Sequence, residues 1–165
     1  MPKAIATKSE HQQRVEKFMQ RAQHDVPNFP TVPLNAVCEL RASLILEEAL
    51  ETIEALGVSI SLTSRAIVGG MQKLTQRLTM DDLQIEATHD PSLVGIADGC
   101  ADISVVTTGT LSACGIADAE LLRMVDDSNL AKFEGDYHVR ADGKLVKPTD
   151  WKAPDIAQLL ADLGA

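Results

Sequence analysis

Leu44-Ile45-Leu46-Glu47-Glu48-Ala49-Leu50-Glu51-Thr52-Ile53-Glu54-Ala55-Leu56 decides how this chain is read. Apolar residues and four glutamates interleave here without a proline or glycine to break a helix. At about 100° per residue, Glu47, Glu48, Glu51 and Glu54 fall within an arc of roughly 120° on one helix. Asn35 is expected to cap this helix, and Gly57 to stop it. Further along, Asp98-Gly99-x-x-Asp102 places an i, i+4 pair of carboxylates on one face of another apolar segment. Helices that carry so many like charges beside an apolar stripe need a neutraliser. A hard divalent cation serves best, because Mg²⁺ takes oxygen ligands at octahedral spacing.

The rest of the chain is read outward from these two helices. Ser9-x-x-Gln12 is a capping-box start for a first helix to about Ala22. Pro27, Pro30 and Pro33 then force an extended connection. Residues 58–88 carry weaker signals: Val58 to Leu62 alternates like a short strand, and Met71 to Leu78 suits a short helix. Asp90-Pro91 offers Asp at the N-cap and Pro at N1 of a third long helix, which Gly115 closes after Cys114. Asp118 opens a fourth helix to about Phe133. Val139 to Val146 reads as a small hairpin around Asp142-Gly143, and Pro154 to Leu163 as a short terminal helix. The expected fold is all-α: an antiparallel four-helix-type bundle with a short C-terminal hairpin-like tail, forming one domain over 1–165.

Composition narrows the class. The 165 residues are 45% hydrophobic but only 3% aromatic, so the core is aliphatic and suits helix packing. The net charge of −9 argues against nucleic acid, which needs a basic footprint. The uncharged run from Ile103 to Ala117 is too short and too rich in Thr and Ser to span a bilayer. The start, Met1-Pro2-Lys3-Ala4, lacks the apolar core of a signal peptide. A cytoplasmic protein without a membrane partner is expected. Cys38, Cys100 and Cys114 have no Cys-x-x-Cys spacing and are expected to be buried, reduced thiols.

The acidic clusters have rival readings. A solvated helix face is one, but Leu44, Ile45, Leu46, Leu50, Ile53 and Leu56 suggest a central helix with little surface left for solvent. A di-iron carboxylate bundle needs Glu-x-x-His on two helices, and no Glu here has a His three residues on. The four His form no metal spacing, and no phosphate-binding Gly-x-x-x-x-Gly-Lys-Ser/Thr loop exists. Gly99 costs about 1 kcal/mol mid-helix relative to alanine. Close helix packing accounts for Gly109, and beside Asp98 and Asp102 a glycine also leaves room for a ligand. Lys132, Lys144 and Lys147, with Arg140, concentrate positive charge near the C-terminus, where lysines can grip phosphate oxygens.

Taken in order, four motifs resemble the all-α nucleoside-triphosphate pyrophosphatases. These include MazG-like proteins, dimeric dUTPases and phosphoribosyl-ATP pyrophosphohydrolases. Leu40-Arg41 through Glu47-Glu48-x-x-Glu51 is similar to their second helix. Ile96 through Asp102, followed by Gly109-Thr110 and Gly115-Ile116, is similar to their third. Ser128-Asn129-Leu130-Ala131-Lys132 resembles their Asn-x-x-Lys element, and Ala141 through Asp155, with Lys144, Lys147 and Trp151, their tail. The resemblance spans roughly 12–156. It departs at Gly99, where several relatives carry Glu and Asp98 stands in. It departs again at Val105 and Thr108, where relatives often carry tyrosines.

The resemblance implies an Mg²⁺-dependent (or Mn²⁺-dependent) nucleotide pyrophosphohydrolase that cuts a nucleoside triphosphate between the α- and β-phosphates. Glu47, Glu48, Glu51, Asp98 and Asp102 would hold metal, and a glutamate such as Glu48 or Glu47 would serve as base. Asn129 would contact base or sugar, and Lys132, Lys144 and Lys147 the phosphates. Arg41 is a structural ion-pair partner or a phosphate ligand, and Trp151 an anchor for the tail or a stacking platform. A homodimer or homotetramer is implied. The alternatives are phosphoribosyl-ATP hydrolysis and a non-catalytic helical interaction protein.

Overall fold

A computed structural model describes residues 7–63, 79–134, 136–141 and 143–164. Helices dominate: α1 (Glu10–Arg21), α2 (Asn35–Ala55), α3 (Leu93–Ala113), α4 (Asp118–Leu130) and α5 (Ile156–Leu163). Beside the helices lie two small two-stranded antiparallel sheets. Strand β1 (Val58–Leu62) pairs with β2 (Leu83–Ala87), setting Ile60 opposite Ile85. Strand β3 (His138–Val139) pairs with β4 (Leu145–Val146), and Gly143 between them sits at φ +79°. The alternation at 58–62 foretold β1 but not its partner. The helix expected at Met71 to Leu78 lies outside the described residues.

The chain divides into two compact units, Leu40–Val106 and the residues on either side of it. In the flanking unit, α1 begins with Ser9, whose Oγ accepts from Gln12 N–H at 3.0 Å. The other half of the expected capping box is replaced. Ser9 N–H donates instead to Asp118 Oδ1 at 2.7 Å. Gln12 turns inward: its Nε2 donates to Ser112 Oγ at 3.1 Å and to the Ile116 carbonyl at 2.7 Å, and its Oε1 accepts from Asp118 N–H at 2.8 Å. These groups are buried and satisfy one another, as buried polar atoms must. The proline-rich connection is tied down by Thr31 N–H donating to the Cys114 carbonyl at 2.8 Å.

In the Leu40–Val106 unit, α2 and α3 pack antiparallel. A Cβ on Gly99 would lie 2.3 Å from Thr52 Oγ1, and one on Gly95 would lie 3.0 Å from Ala55 Cβ. Ser92 N–H donates to the Ala55 carbonyl at 2.8 Å. Residue numbers therefore rise along one helix as they fall along the other. Two helix starts shift from expectation. Cys38 N–H bonds the Leu34 carbonyl, so Asn35 is the first helical residue and not the cap. Ser92 caps α3, its Oγ accepting from Gly95 N–H at 3.2 Å, so Asp90 and Pro91 precede the helix. Serine two residues on reaches that N–H where Asp90 does not.

The space at Gly99 is taken by Thr52 and not left for a ligand. Gly99→Ala is therefore expected to destabilise the protein by about 1–3 kcal/mol through overpacking. Adding Thr52→Ala removes the nearest atom and should restore part of the loss. Thermal melts of both single variants and the double decide it, and strictly additive losses would mean the two residues do not touch.

Two expectations about burial are corrected. Cys38 and Cys100 are exposed and Cys114 is half-buried. Helix α2 is not sheathed: Leu46 and Leu50 keep 60% and 48% of their surface exposed, whereas Arg41 and Thr52 are the buried residues. The exposed leucines lie on the side of α2 away from Thr52. Among the described residues no single helix is long and apolar enough to cross a membrane.

Candidate functional site

The register set by Thr52 and Gly99 positions the carboxylates. One turn back along α2 from Thr52 is Glu48; one turn on along α3 from Gly99 is Asp102. Antiparallel packing lays these two residues side by side, with Glu47 and Glu51 on α2 and Asp98 on α3 flanking them. Thr52 Oγ1 donates to the Glu48 carbonyl at 2.7 Å, an i to i−4 bond that satisfies the buried hydroxyl.

The electrostatics agree with that placement. The Glu48 carboxyl is pushed above its ordinary range, first by desolvation, then by the charges of Asp102, Glu51, Glu47 and Asp98 in that order. Four of the acidic residues singled out from sequence thus act on the fifth, Glu48. Among the described residues, however, no three His, Cys, Asp or Glu side chains gather closely enough to hold a metal ion. The donor set is entirely hard oxygen, which fits Mg²⁺ or Mn²⁺ and not a soft metal.

A pH dependence follows. A carboxyl raised in the folded state binds protons there that the unfolded chain has released. Stability of the metal-free protein therefore falls as pH rises from the ordinary glutamate range through the raised value. Melting curves of metal-free wild type and Glu48→Gln should lie apart at neutral pH, with wild type less stable, and converge on acidification. Parallel curves at all pH values would remove Glu48 from the centre of the field.

Next to this centre, α2 and the segment before α3 border an open surface hollow of about 460 Å³. Glu51, Glu54, Ala55, His89, Asp90 and Ser92 line it. Sequence reading passed over His89 and took Asp90 for a helix cap, because no motif links residues 54 and 89. Only the turn at Gly57 brings them together.

The basic residues belong to the flanking unit and form their own group. Lys147 Nζ stands 4.0 Å and Lys132 Nζ 5.3 Å from the centre of the Trp151 ring, within cation–π range. Lys132 also donates to Asn129 Oδ1 at 2.6 Å. Trp151 Nε1 donates to the Ser128 carbonyl at 2.8 Å, which fixes the half-buried ring. A cavity of about 330 Å³ adjoins it, lined by Ala131, Glu134, Asp150, Trp151 and Lys152. Lys144 lies on the small hairpin, where its carbonyl accepts from Arg140 N–H at 2.8 Å. Arg41 is buried in the Leu40–Val106 unit, with 7% of its surface exposed.

One family model, described as phosphoribosyl-ATP pyrophosphohydrolase, matches residues 13–129. The match takes in both acidic helices and ends at Asn129. No curated protein matches the chain.

Proposed function

Since the chain belongs to the phosphoribosyl-ATP pyrophosphohydrolase family, within the all-α nucleotide pyrophosphatases, we propose that its substrate is phosphoribosyl-ATP. The bond cut is the anhydride between the α- and β-phosphates, which releases pyrophosphate. What carries the reading is the convergence on Glu48 of carboxylates from two antiparallel helices that both lie inside the family match. This reverses the order in which sequence alone ranked the substrates, where a general nucleoside triphosphate came first. That second reading keeps one support: the Asn-x-x-Lys element and the Lys/Trp tail, on which the MazG-like resemblance drew, run beyond residue 129, where the match ends.

In this proposal Glu47, Glu48, Glu51, Asp98 and Asp102 hold Mg²⁺ or Mn²⁺. When bound, the cation supplies charge neutralisation at the phosphates and eases ionisation of water. Glu48 serves as proton acceptor for the attacking water. Thr52 and Gly99 hold the two helices close enough for Glu48 and Asp102 to act on the same atoms. Lys132, Lys144 and Lys147 as phosphate contacts, Asn129 as a base or sugar contact, and Arg41 and Trp151 in support rest on the resemblance. Lys144→Ala with Lys147→Ala should weaken binding of a triphosphate more than of its monophosphate, measured by calorimetry. Equal affinities in variant and wild type would leave the tail a structural role only.

A four-helix bundle that associates as a homodimer or homotetramer belongs to the same proposal. Leu46 and Leu50 on α2, and Leu93 and Val94 on α3 at 84% and 82% exposure, are apolar surface that a partner copy would cover. Light scattering on the purified protein decides the number of copies.

The deciding assay is pyrophosphate release from phosphoribosyl-ATP and a panel of nucleoside triphosphates, with Mg²⁺ and with excess chelator. Release confined to phosphoribosyl-ATP and abolished by chelator is the expected result. Release from a broad panel would favour the second reading. Full activity in chelator would rule out the metal centre, and no release from any nucleotide would favour a non-catalytic interaction protein.

A further inference from the structure

Trp151 is the only tryptophan in the chain, and two hydrogen bonds fix it. Its Nε1–H donates to the Ser128 carbonyl at 2.8 Å, near the end of α4. Its backbone N–H donates to the Pro148 carbonyl at 3.2 Å, a turn that folds the chain back just after β4. The ring then collects cations from two segments far apart in sequence. Lys147, next to β4, places Nζ 4.0 Å from the ring centre, and Lys132, in the turn after α4, places Nζ at 5.3 Å.

Two ammonium groups so close to one point repel each other. The indole ring offsets the repulsion, since an exposed ammonium gains about 0.5–1 kcal/mol over such a ring. Among the described residues neither lysine forms an ion pair; Lys132 donates to the neutral Asn129 Oδ1 at 2.6 Å. With 24 acidic residues against 15 basic and a net charge of −9, this chain has carboxylates to spare for any stray lysine. Two cations gathered on one ring without one are arranged for an anion that offers several charged oxygens. A nucleobase would have to displace them to stack there. We infer that Trp151 is a positioning residue: its ring gathers Lys132 and Lys147 into one site for the polyphosphate chain of the nucleotide and does not stack on the base. The inference rests on the pyrophosphohydrolase reading above, and it separates the two roles that sequence left open for Trp151.

Inorganic tripolyphosphate, which has no base, tests it by calorimetry beside a non-cleavable α,β-methylene ATP, both with Mg²⁺. Trp151→Leu should weaken both ligands by a similar factor of about ten, as expected when charge-assisted contacts are lost. Trp151→Phe keeps a ring and should recover most of the affinity. Lys147→Ala should cost less affinity in the Trp151→Leu background than in wild type, because the ring no longer holds that lysine. Wild type supplies a reading that no folding defect can blur: tripolyphosphate should shift the emission of its one tryptophan, and Lys132→Ala with Lys147→Ala should abolish the shift. A Trp151→Leu loss confined to the ATP analogue would show a stacked base and overturn the inference. So would additive losses, no recovery in Trp151→Phe, or a wild type whose emission ignores tripolyphosphate. The activity reading fails separately, by absence of pyrophosphate release, and these titrations need no turnover.

Discussion

Glu48→Gln is expected to lower turnover by about 10²–10⁴-fold, the range for loss of a positioned proton acceptor. Asp102→Asn should fall in the same direction, because it removes the neighbouring charge that acts most strongly on Glu48. Both substitutions keep shape and remove charge, so the helices should still pack. In the metal-free protein each variant should melt no lower than wild type and, at neutral pH, higher. The reason is that each removes one member of a mutually repelling set. Lost activity with gained stability is a combination that simple misfolding cannot produce. It is read from pyrophosphate release and thermal melts on the same preparations. Near-normal turnover in either variant would mean that residue is misassigned.

Gly57→Ala should be the most damaging glycine-to-alanine change among the described residues of the Leu40–Val106 unit. Gly57 sits at φ +77°, and an added Cβ would lie 2.2 Å from the His89 carbonyl oxygen. The residue pays a left-handed backbone penalty of about 1–2 kcal/mol and an overpacking penalty of about 1–3 kcal/mol. The opposing atom is backbone, tied by the bonds that Thr88 and His89 make to Gly57, so it cannot move aside as a side chain would. A fall in melting temperature of roughly 5–15 °C is expected for a chain of this size. A melt within a degree or two of wild type would show that the turn re-forms with alanine.

The two faces of α2 differ in how legible they were. Glu47, Glu48 and Glu51 are placed by helical periodicity alone, and so are Asp98 and Asp102 on α3, because 100° per residue fixes which side chains share a face. The extent of both helices, the stop at Gly57 and the pairing of the strands on either side of Gly143 were legible for the same reason: glycine at positive φ and tight turns are local chemistry. The caps themselves slipped by one or two residues, since Leu34, Ser92 and Asp90 compete on backbone geometry that local sequence does not resolve.

Exposure was not legible. An apolar pattern says which face of α2 seeks burial, not whether the same chain buries it, and Leu46 and Leu50 stay exposed. Cys38 and Cys100 were misjudged on the same ground.

The sequence by itself determined the helices, the five carboxylates and, through the order of its motifs, the superfamily. Those are properties of short segments and of the order in which they follow one another. Only the tertiary structure decided that Gly99 serves Thr52, that Asp102 outranks the other charges at Glu48, and that Glu54, His89 and Asp90 border one surface hollow. Each of these depends on the register between two helices. Register is set by how closely backbones approach at Gly95 and Gly99, a packing distance that no local pattern encodes.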